Sequence, residues 1–506
     1  MLSPSHSRAW RALLFLLLAL GGFLRLLDLT DAPLDFHPTR QLRNSIIARG
    51  IYYDLLPSAD PSARALADSI ARVPARYEPP IIETLVAVTY LAGGGESIVI
   101  PRLYGTLFWL LAGLCLYDLA RRITNSPIAA LLCLAYFLVL PFAVQASRSF
   151  QPDPLMTASA LFGIYFLYRW SESLPPDPPP ATRRSYLVSS WRYALLAALC
   201  IGFAAFVKIF IGFIAGGAAA ALTFFTLGKN FWRNKQVWVM AAVMILPALL
   251  FYFTGNRGNS TEYITNWSLD MLKLIASPDF YSKWLAFLGS LFGQTFIFLS
   301  LAGTLLAAPR GRALLIGLWA GYLLYGLSVP FQMYTHSYYH IQLTPILALG
   351  LGPIAEAVTR RAVREKRGWQ AALTLLVVAV IGFQSYVSRS VLLAEDFRAE
   401  PAYWKTVGEA IPENAKVIAL TQDFGYRLMY YGWRRVDTWP LVSGLADVRG
   451  NQLDAEKTFA ESAAHKDYFL VTSFNQLDKQ PGLKKILDAY PIAAEGDGFV
   501  LYDLKP

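Results

Sequence analysis

Apolar runs long enough to cross a bilayer recur from the N-terminus to about residue 390, a ~30 Å hydrocarbon core requiring roughly 20 residues of helix. Inside lipid every backbone N–H and C=O must be satisfied within the protein, so runs of this kind fold as helices. The pattern predicts about eleven spans, near 11–27, 99–119, 128–144, 154–170, 193–207, 209–227, 237–254, 284–306, 313–330, 340–358 and 370–387. A hydrophobic content of 55% with only 16% charged residues and a mean hydropathy of +0.38 exclude a soluble or disordered chain. The expected fold class is a polytopic α-helical membrane protein with a soluble α/β domain at its C-terminal end.

Lys and Arg in the short connections set the orientation. With the N-terminus inside, the inner segments hold Arg8 and Arg11, Arg121 and Arg122, Arg183, Arg184 and Arg192, Lys229, Arg233 and Lys235, Arg310 and Arg312, and a basic run from Arg360 to Arg367. The short outer connections hold little beyond Arg148, Lys208, Arg257 and Lys273. Segment 28–98 is then outside, since long segments translocate largely regardless of charge. The net charge of +10 is thereby explained by topology and anionic lipid headgroups rather than nucleic acid. Arg8 and Arg11 ahead of the first run suit a signal peptide, but "RLLDLTDAPLD" lacks a small-residue cleavage pattern, and the run is expected to stay as an anchor. Cys115, Cys133 and Cys200 fall in predicted spans and imply no disulfide framework or thiolate metal site.

Beyond 387 the apolar runs stop. "AEPAYWKTVGEAIPENAKVIALTQD" reads as helix, turn and buried strand, and "DYFLVTS", "LKKILDAY" and "FVLYDL" as strand, helix and strand. Residues 388–506 are expected to form an extracytoplasmic α/β domain, with 1–387 as the membrane domain. "SLPPDPPPATRR" reads as an inner linker whose proline run cannot be helical.

Polar clusters gather on the outer side. "LDFHPTRQ" places Asp35, His37 and Arg40 just past the first span, and 39–53 alternates apolar and Arg positions as an interfacial helix would, apolar side down. In "QASRSFQPDPLM", Arg148 and Asp153 flank two spans; Asp153, between prolines, suits a helix N-cap or a site carboxylate. Lys208 interrupts "GFAAFVKIFIGFIAGG" and must snorkel or face a polar cavity. "PFQMYTHSYYHIQLTP" concentrates His336, Tyr338, Tyr339 and His340, as an aromatic belt or a polar site. Two histidines without a carboxylate in the same segment are poor grounds for a metal.

The order of these features resembles the GT-C membrane glycosyltransferases that use polyprenyl-phosphate sugars, in the protein mannosyltransferase and lipid A aminoarabinose transferase branch, over roughly residues 10–390. The matching stretches are the acidic Asp35 after the first span, "YEPPIIETLVAVTYL", "IPRLYGTLFWLLAGLCLYDLARR", "SRSFQPDPLM", the hairpin with Lys208, and "HSYYHIQLTP". The chain departs from the pattern at Phe36, where an Asp-Glu pair is common, and at Glu78, where some relatives are basic. The resemblance implies sugar transfer from a polyprenyl-phosphate donor to a glycan, lipid or protein acceptor at the outer face of the plasma membrane. Asp35 and Asp153 are its expected catalytic carboxylates. His37, Arg40, Arg148, Lys208, His336, Tyr338 and His340 are expected to meet the donor phosphate, with Glu78 and Tyr339 supporting or meeting the acceptor. The resemblance fixes no cofactor, and a divalent cation stays open. The alternative class is a non-catalytic binding or transport protein for lipid-linked glycans.

Overall fold

The computed structural model describes residues 4–174, 183–443 and 453–505; the middle of the proline-rich linker, 175–182, lies outside them. In chain order the α-helices among the described residues are α1 (Pro4–Arg25), α2 (Pro38–Leu55), α3 (Pro61–Ala71), α4 (Ile81–Gly93), α5 (Val99–Thr124), α6 (Pro127–Val139), α7 (Pro141–Arg148), α8 (Asp153–Glu172), α9 (Arg183–Val207), α10 (Ile211–Leu227), α11 (Lys235–Leu250), α12 (Arg257–Trp267), α13 (Pro278–Phe292), α14 (Gln294–Leu306), α15 (Pro309–Ser328), α16 (Leu343–Ala362), α17 (Arg367–Leu392), α18 (Glu400–Glu409), α19 (Tyr426–Tyr431), α20 (Ala455–Ser462), α21 (Phe474–Asp478) and α22 (Pro481–Leu487). The strands are β1 (Val417–Leu420), β2 (Val436–Thr438), β3 (Tyr468–Val471), β4 (Ile492–Gly496) and β5 (Phe499–Asp503). Proline opens many of the helices, including α2, α3, α6, α7, α13 and α15, where its missing N–H costs nothing and its fixed φ suits the first turn. The chain divides into two compact units: Met1–Leu29 with Arg76–Ile82 and Val99–Ala394, and Thr30–Ala75 with Glu83–Ile98 and Glu395–Pro506.

The first unit is the helical membrane part. Among the described residues six helices are long and apolar enough to cross a bilayer, or eight if two bent pairs each count as one. The expected spans near 11–27, 154–170 and 313–330 fall on the helices α1, α8 and α15, which are not among those six. Two expected spans are not straight. The run 128–144 bends by 61° between α6 and α7, and 284–306 bends by 97° between α13 and α14. Pro141 causes the first break by removing a helical donor; Gly293, at φ +78°, turns the second through a conformation that costs glycine little. The α6–α7 break frees carbonyls, and buried Arg25 answers them, donating to Leu138 O at 2.8 Å and to Ser147 Oγ at 2.7 Å. Helices α10 and α15 approach so closely that a methyl group at Gly217 would collide with the Gly317 carbonyl, as small residues permit in membrane packing.

The second unit holds a five-stranded sheet of order β2-β1-β3-β5-β4. β2, β1 and β3 run parallel, whereas β5 is antiparallel to both β3 and β4. Both faces of its centre are buried, so "VIAL" and "YFLV" are continuous apolar runs. Ile418, Leu420, Phe469 and Val471 face Trp439, Leu477, Leu483 and Leu487. On the other face Val417, Ala419, Leu470 and Leu501 share one core with Trp404 and Val407 of α18 and Leu428 of α19, and also with Leu42 and Ile46 of α2 and Ile70 of α3.

This packing corrects the interfacial-helix expectation for 39–53. Most of α2 is buried, its arginines included. Arg43 donates to Ala75 O at 2.6 Å, and Arg49 pairs with Glu96 at 2.9 Å between the rings of Tyr430 and Trp433, at 4.0 and 4.3 Å. Burial alone would lower the Arg49 pKa, but Glu96 and then Tyr430 overcome it and raise it. Residues 395–506 produced alone would therefore leave one sheet face partly open. Their amide NMR spectrum is expected to lack the dispersion of a packed fold; a dispersed spectrum with a cooperative melt would show that α18 and α19 suffice as cover.

Candidate active site

The first unit builds its site where three helices break off. Asp153 is the first residue of α8, where a carboxylate suits the helix dipole. Lys208 occupies the three-residue interruption between α9 and α10. The two are buried, 2% and 4% exposed, and the Lys208 ammonium donates to Asp153 Oδ1 at 2.8 Å. That ammonium also lies 4.7 Å from the ring centre of Tyr339 and 5.1 Å from that of Tyr338, distances at which an aromatic face attracts a cation. Asp153 Oδ2 and both amide atoms of buried Gln151 have no hydrogen-bond partner. Such groups cost ~1–3 kcal/mol each when left unpaired.

A small cavity opens beside the pair, lined by Tyr77, Glu78, Lys208, Tyr252, Tyr263 and Tyr339 among others. The Tyr263 and Tyr339 hydroxyls hydrogen-bond each other. The Tyr339 carbonyl accepts from Gln342 Nε2 at 2.7 Å and from Tyr325 at 3.1 Å. The wall carrying Glu78 is tied down by Asn256, whose amide donates to Arg76 O at 2.8 Å. A π-helical turn at Phe251–Gly255 contributes Tyr252; such turns are frequent at functional sites.

Two expected phosphate ligands have other employment. His340 is fully buried, with Nδ1 at 2.6 Å from Tyr322 Oη and Nε2 at 3.1 Å from Met333 O. A carbonyl only accepts, so Nε2 carries the proton and Nδ1 takes that of Tyr322; neither nitrogen is left for phosphate or metal. Arg148 is 1% exposed and donates to the carbonyl of Leu27 beyond the end of α1, as Arg102 does to Leu29 O at 2.8 Å. Both arginines serve backbone carbonyls that the end of α1 leaves over. His336 is half-buried, its Nδ1 2.7 Å from Thr335 Oγ1 and its ring edge-on to Tyr338. Among the described residues no group of three or more His, Cys, Asp or Glu could hold a metal ion.

In the second unit Asp35 is half-buried before α2 and accepts from Gln41 Nε2 at 3.1 Å, the same amide holding Phe36 O at 2.8 Å. His37 caps α2 at φ +48°, a left-handed conformation seldom adopted by a residue other than glycine. Arg40 lies in the first turn of that helix. Thr39 Oγ1 donates to Asp423 Oδ1 at 2.7 Å, and Arg427 Nε holds the other Asp423 oxygen at 2.6 Å. Asp423 and Phe424, at φ +49° and +55°, precede Gly425 at +74° in a left-handed turn. Gln151 and Asp423 were invisible to sequence reasoning. The proline bracket around Asp153 was the one local signal near Gln151, and nothing local marks Asp423.

Lys208→Ala would leave Asp153 buried without its partner, which typically costs ~3–5 kcal/mol. A clear fall in the thermal midpoint of the detergent-solubilised protein is expected, with substantial recovery in Lys208→Ala combined with Asp153→Ala. A double variant melting no higher than the single one would mean that the two residues are not energetically coupled.

Residues 87–257, about a third of the chain, match the family model of dolichyl-phosphate-mannose-protein mannosyltransferases. No curated protein matches the sequence. Among solved structures, ArnT from Cupriavidus metallidurans bound to undecaprenyl phosphate superposes with a TM-score of 0.59 at 17% identity, covering 98% of both chains. The archaeal oligosaccharyltransferase AglB from Archaeoglobus fulgidus, in complex with an inhibitory peptide and a dolichol-phosphate, gives 0.57 at 13% identity, covering 93% of this chain and 70% of that one. The chain is thus a multi-pass membrane protein with the fold of the GT-C glycosyltransferases.

Proposed function

We propose that this chain is an integral-membrane glycosyltransferase that moves a sugar from a polyprenyl-phosphate donor to a glycan, lipid or protein acceptor. The observation that supports this best is the Lys208–Asp153 pair. A buried ammonium at the wall of an aromatic cavity, held in place by a carboxylate counter-ion, has further N–H donors to offer an anionic headgroup. The family-model match and the shared fold with ArnT and AglB point the same way.

In this reading the acceptor hydroxyl attacks the anomeric carbon, the bond from that carbon to phosphate oxygen breaks, and the polyprenyl phosphate leaves with the electron pair. Asp35, whose Oδ1 accepts from Gln41, takes the hydroxyl proton. Lys208 stabilises the departing phosphate, with Asp153 as its fixed counter-ion rather than a second base. His37, Arg40, His336 and Tyr338 support the donor headgroup, and Glu78 and Tyr339 shape the cavity. Eleven spans would put the N-terminus inside, and the reaction and residues 388–506 at the extracytoplasmic face of the plasma membrane, since the basic residues crowd the inner connections.

A base acts in the transition state, so Asp35→Asn is expected to lower single-turnover transfer by ~10²–10⁴-fold while donor affinity is kept. Lys208→Ala should weaken both donor binding and rate, because a phosphate-binding cation acts on ground and transition states alike. Purified folded variants with radiolabelled polyprenyl-phosphate sugars decide this. Donor binding by the unaltered protein, with no turnover on any sugar or acceptor class, would favour the non-catalytic carrier instead.

A further inference from the structure

The second unit contains a large open cleft that the transfer chemistry does not use. Its volume is about 930 Å³, toward the upper end of the ~300–1,000 Å³ usual for ligand sites and far more than a lone inorganic anion would fill. One wall is the outward side of α3, with Ser62, Leu66 and Ser69; the other is the edge strand β2 with the loops before β1 and β2. The four cations Lys416, Arg434, Arg435 and Lys466 line it against two carboxylates, Glu413 and Asp437. Asp437 is already paired with Lys466. Arg434 spends Nε on Ile411 O at 3.1 Å and Nη1 on Trp433 O at 3.2 Å, which fixes the direction of its guanidinium. Arg435 is exposed. The cleft is therefore a positive surface with a rigid centre.

It is also aromatic at one end. Tyr53 and Trp433 meet edge to face, ring centres 5.4 Å apart. Trp433 is held at φ +50°, a conformation that costs a bulky residue ~1–3 kcal/mol and persists only where its surroundings impose it. Arg49 does so: its guanidinium lies 4.3 Å from the Trp433 ring, and its ion pair with Glu96 anchors it. The half-buried indole, fixed in place at a cationic cleft, leaves part of an aromatic surface for a sugar ring, and the cleft supplies charge for acidic groups.

We propose that this cleft binds an acidic glycan, a saccharide chain bearing carboxylate or phosphate groups, and that it presents that glycan as acceptor. The second clause rests on the transferase reading; the first stands without it. The size argues for several sugar units, the cations for acidic substituents, and the pinned indole for ring stacking. A neutral oligosaccharide would satisfy only the last.

The test is calorimetric titration of the detergent-solubilised full chain with tetragalacturonic acid, maltotetraose and inorganic phosphate. Tetragalacturonic acid is expected to bind at least ten times more tightly than maltotetraose, and Arg435→Glu, an exposed position that folding tolerates, should weaken it at least tenfold. Trp433→Phe, which keeps a ring but not the indole, should weaken it several-fold. Equal binding of the neutral tetrasaccharide, an Arg435→Glu variant that binds as the parent does, or inorganic phosphate binding as tightly as the tetrasaccharide would each overturn the acidic-glycan site. Undecaprenyl phosphate binding by the same unaltered samples tests the transferase reading separately, so failure of one is not read as failure of the other.

Discussion

One sheet face of the second unit is covered jointly by segments more than three hundred residues apart in sequence, and much of the local geometry depends on that shared core. Leu42, Ile46 and Ile70 from the first long loop pack with Val417, Leu470 and Leu501 from the C-terminal segment. At ~25 cal/mol per Å² of apolar surface removed from water, neither partner keeps this energy without the other. The position of α2 then follows, and with it that of the loop carrying Asp35. The Thr39–Asp423 bond and the Arg427–Glu400 bridge at 3.1 Å fix the rotation that hydrophobic contact alone would leave loose. A C-terminal segment that looks appended in sequence is, in packing terms, the scaffold of the loop it follows by most of the chain.

The membrane unit depends on a different balance. Two charges taken out of water lose solvation that their mutual attraction often fails to restore, so well-packed hydrophobic residues would commonly be as stable as a buried ion pair. Lys208 and Asp153 are therefore poorly explained by stability. The pair is incomplete as well, since Asp153 Oδ2 and the Gln151 amide have no partner. Buried polar groups left over in this way are what a site for a charged ligand requires: donors and acceptors already oriented, with the desolvation cost met during folding. By contrast, Arg25, Arg102 and Arg148 donate to backbone carbonyls near helix ends and breaks. Charge type alone does not separate these roles; the partner does.

That distinction explains what could and could not be read from the sequence. The strands "VIAL" and "YFLV" were legible because burial on both faces demands an uninterrupted apolar run, while β2 and β4, largely exposed, have no such pattern. Asp35, Asp153 and Lys208 stood out because ionisable groups near a membrane are expensive. The pairing of two of them across 55 positions did not, since no local rule selects a partner. Helix α2 was misread because apolar and Arg positions at helical spacing suit a membrane surface and a protein interior equally. What decides between them is whether the arginines find partners, and Glu96, Ala75 and Tyr430 are remote in sequence. The bends at Pro141 and Gly293 were hidden within runs whose hydropathy is indifferent to backbone angle.

Strain is concentrated rather than spread. Among the described residues eight that are not glycine have positive φ, and six of them, His37, Asn414, Asp423, Phe424, Trp433 and His465, belong to the second unit, Asp28 and Asn125 to the first. Asp tolerates this conformation comparatively well, but Phe and Trp do not. Three of these have an identifiable restraint nearby: the Thr39 bond to Asp423, Gly425 completing the turn after Phe424, and the Arg49 stack on Trp433. Strain of ~1–3 kcal/mol per residue persists only where the surroundings over-determine the backbone, and here Thr39 and Arg49 act from α2, whose Leu42 and Ile46 the shared core holds. The same packing that unites the first loop with the C-terminal segment thus holds α2 in place, and through Thr39 and Arg49 of that helix it restrains both the turn at Asp423 and the ring of Trp433.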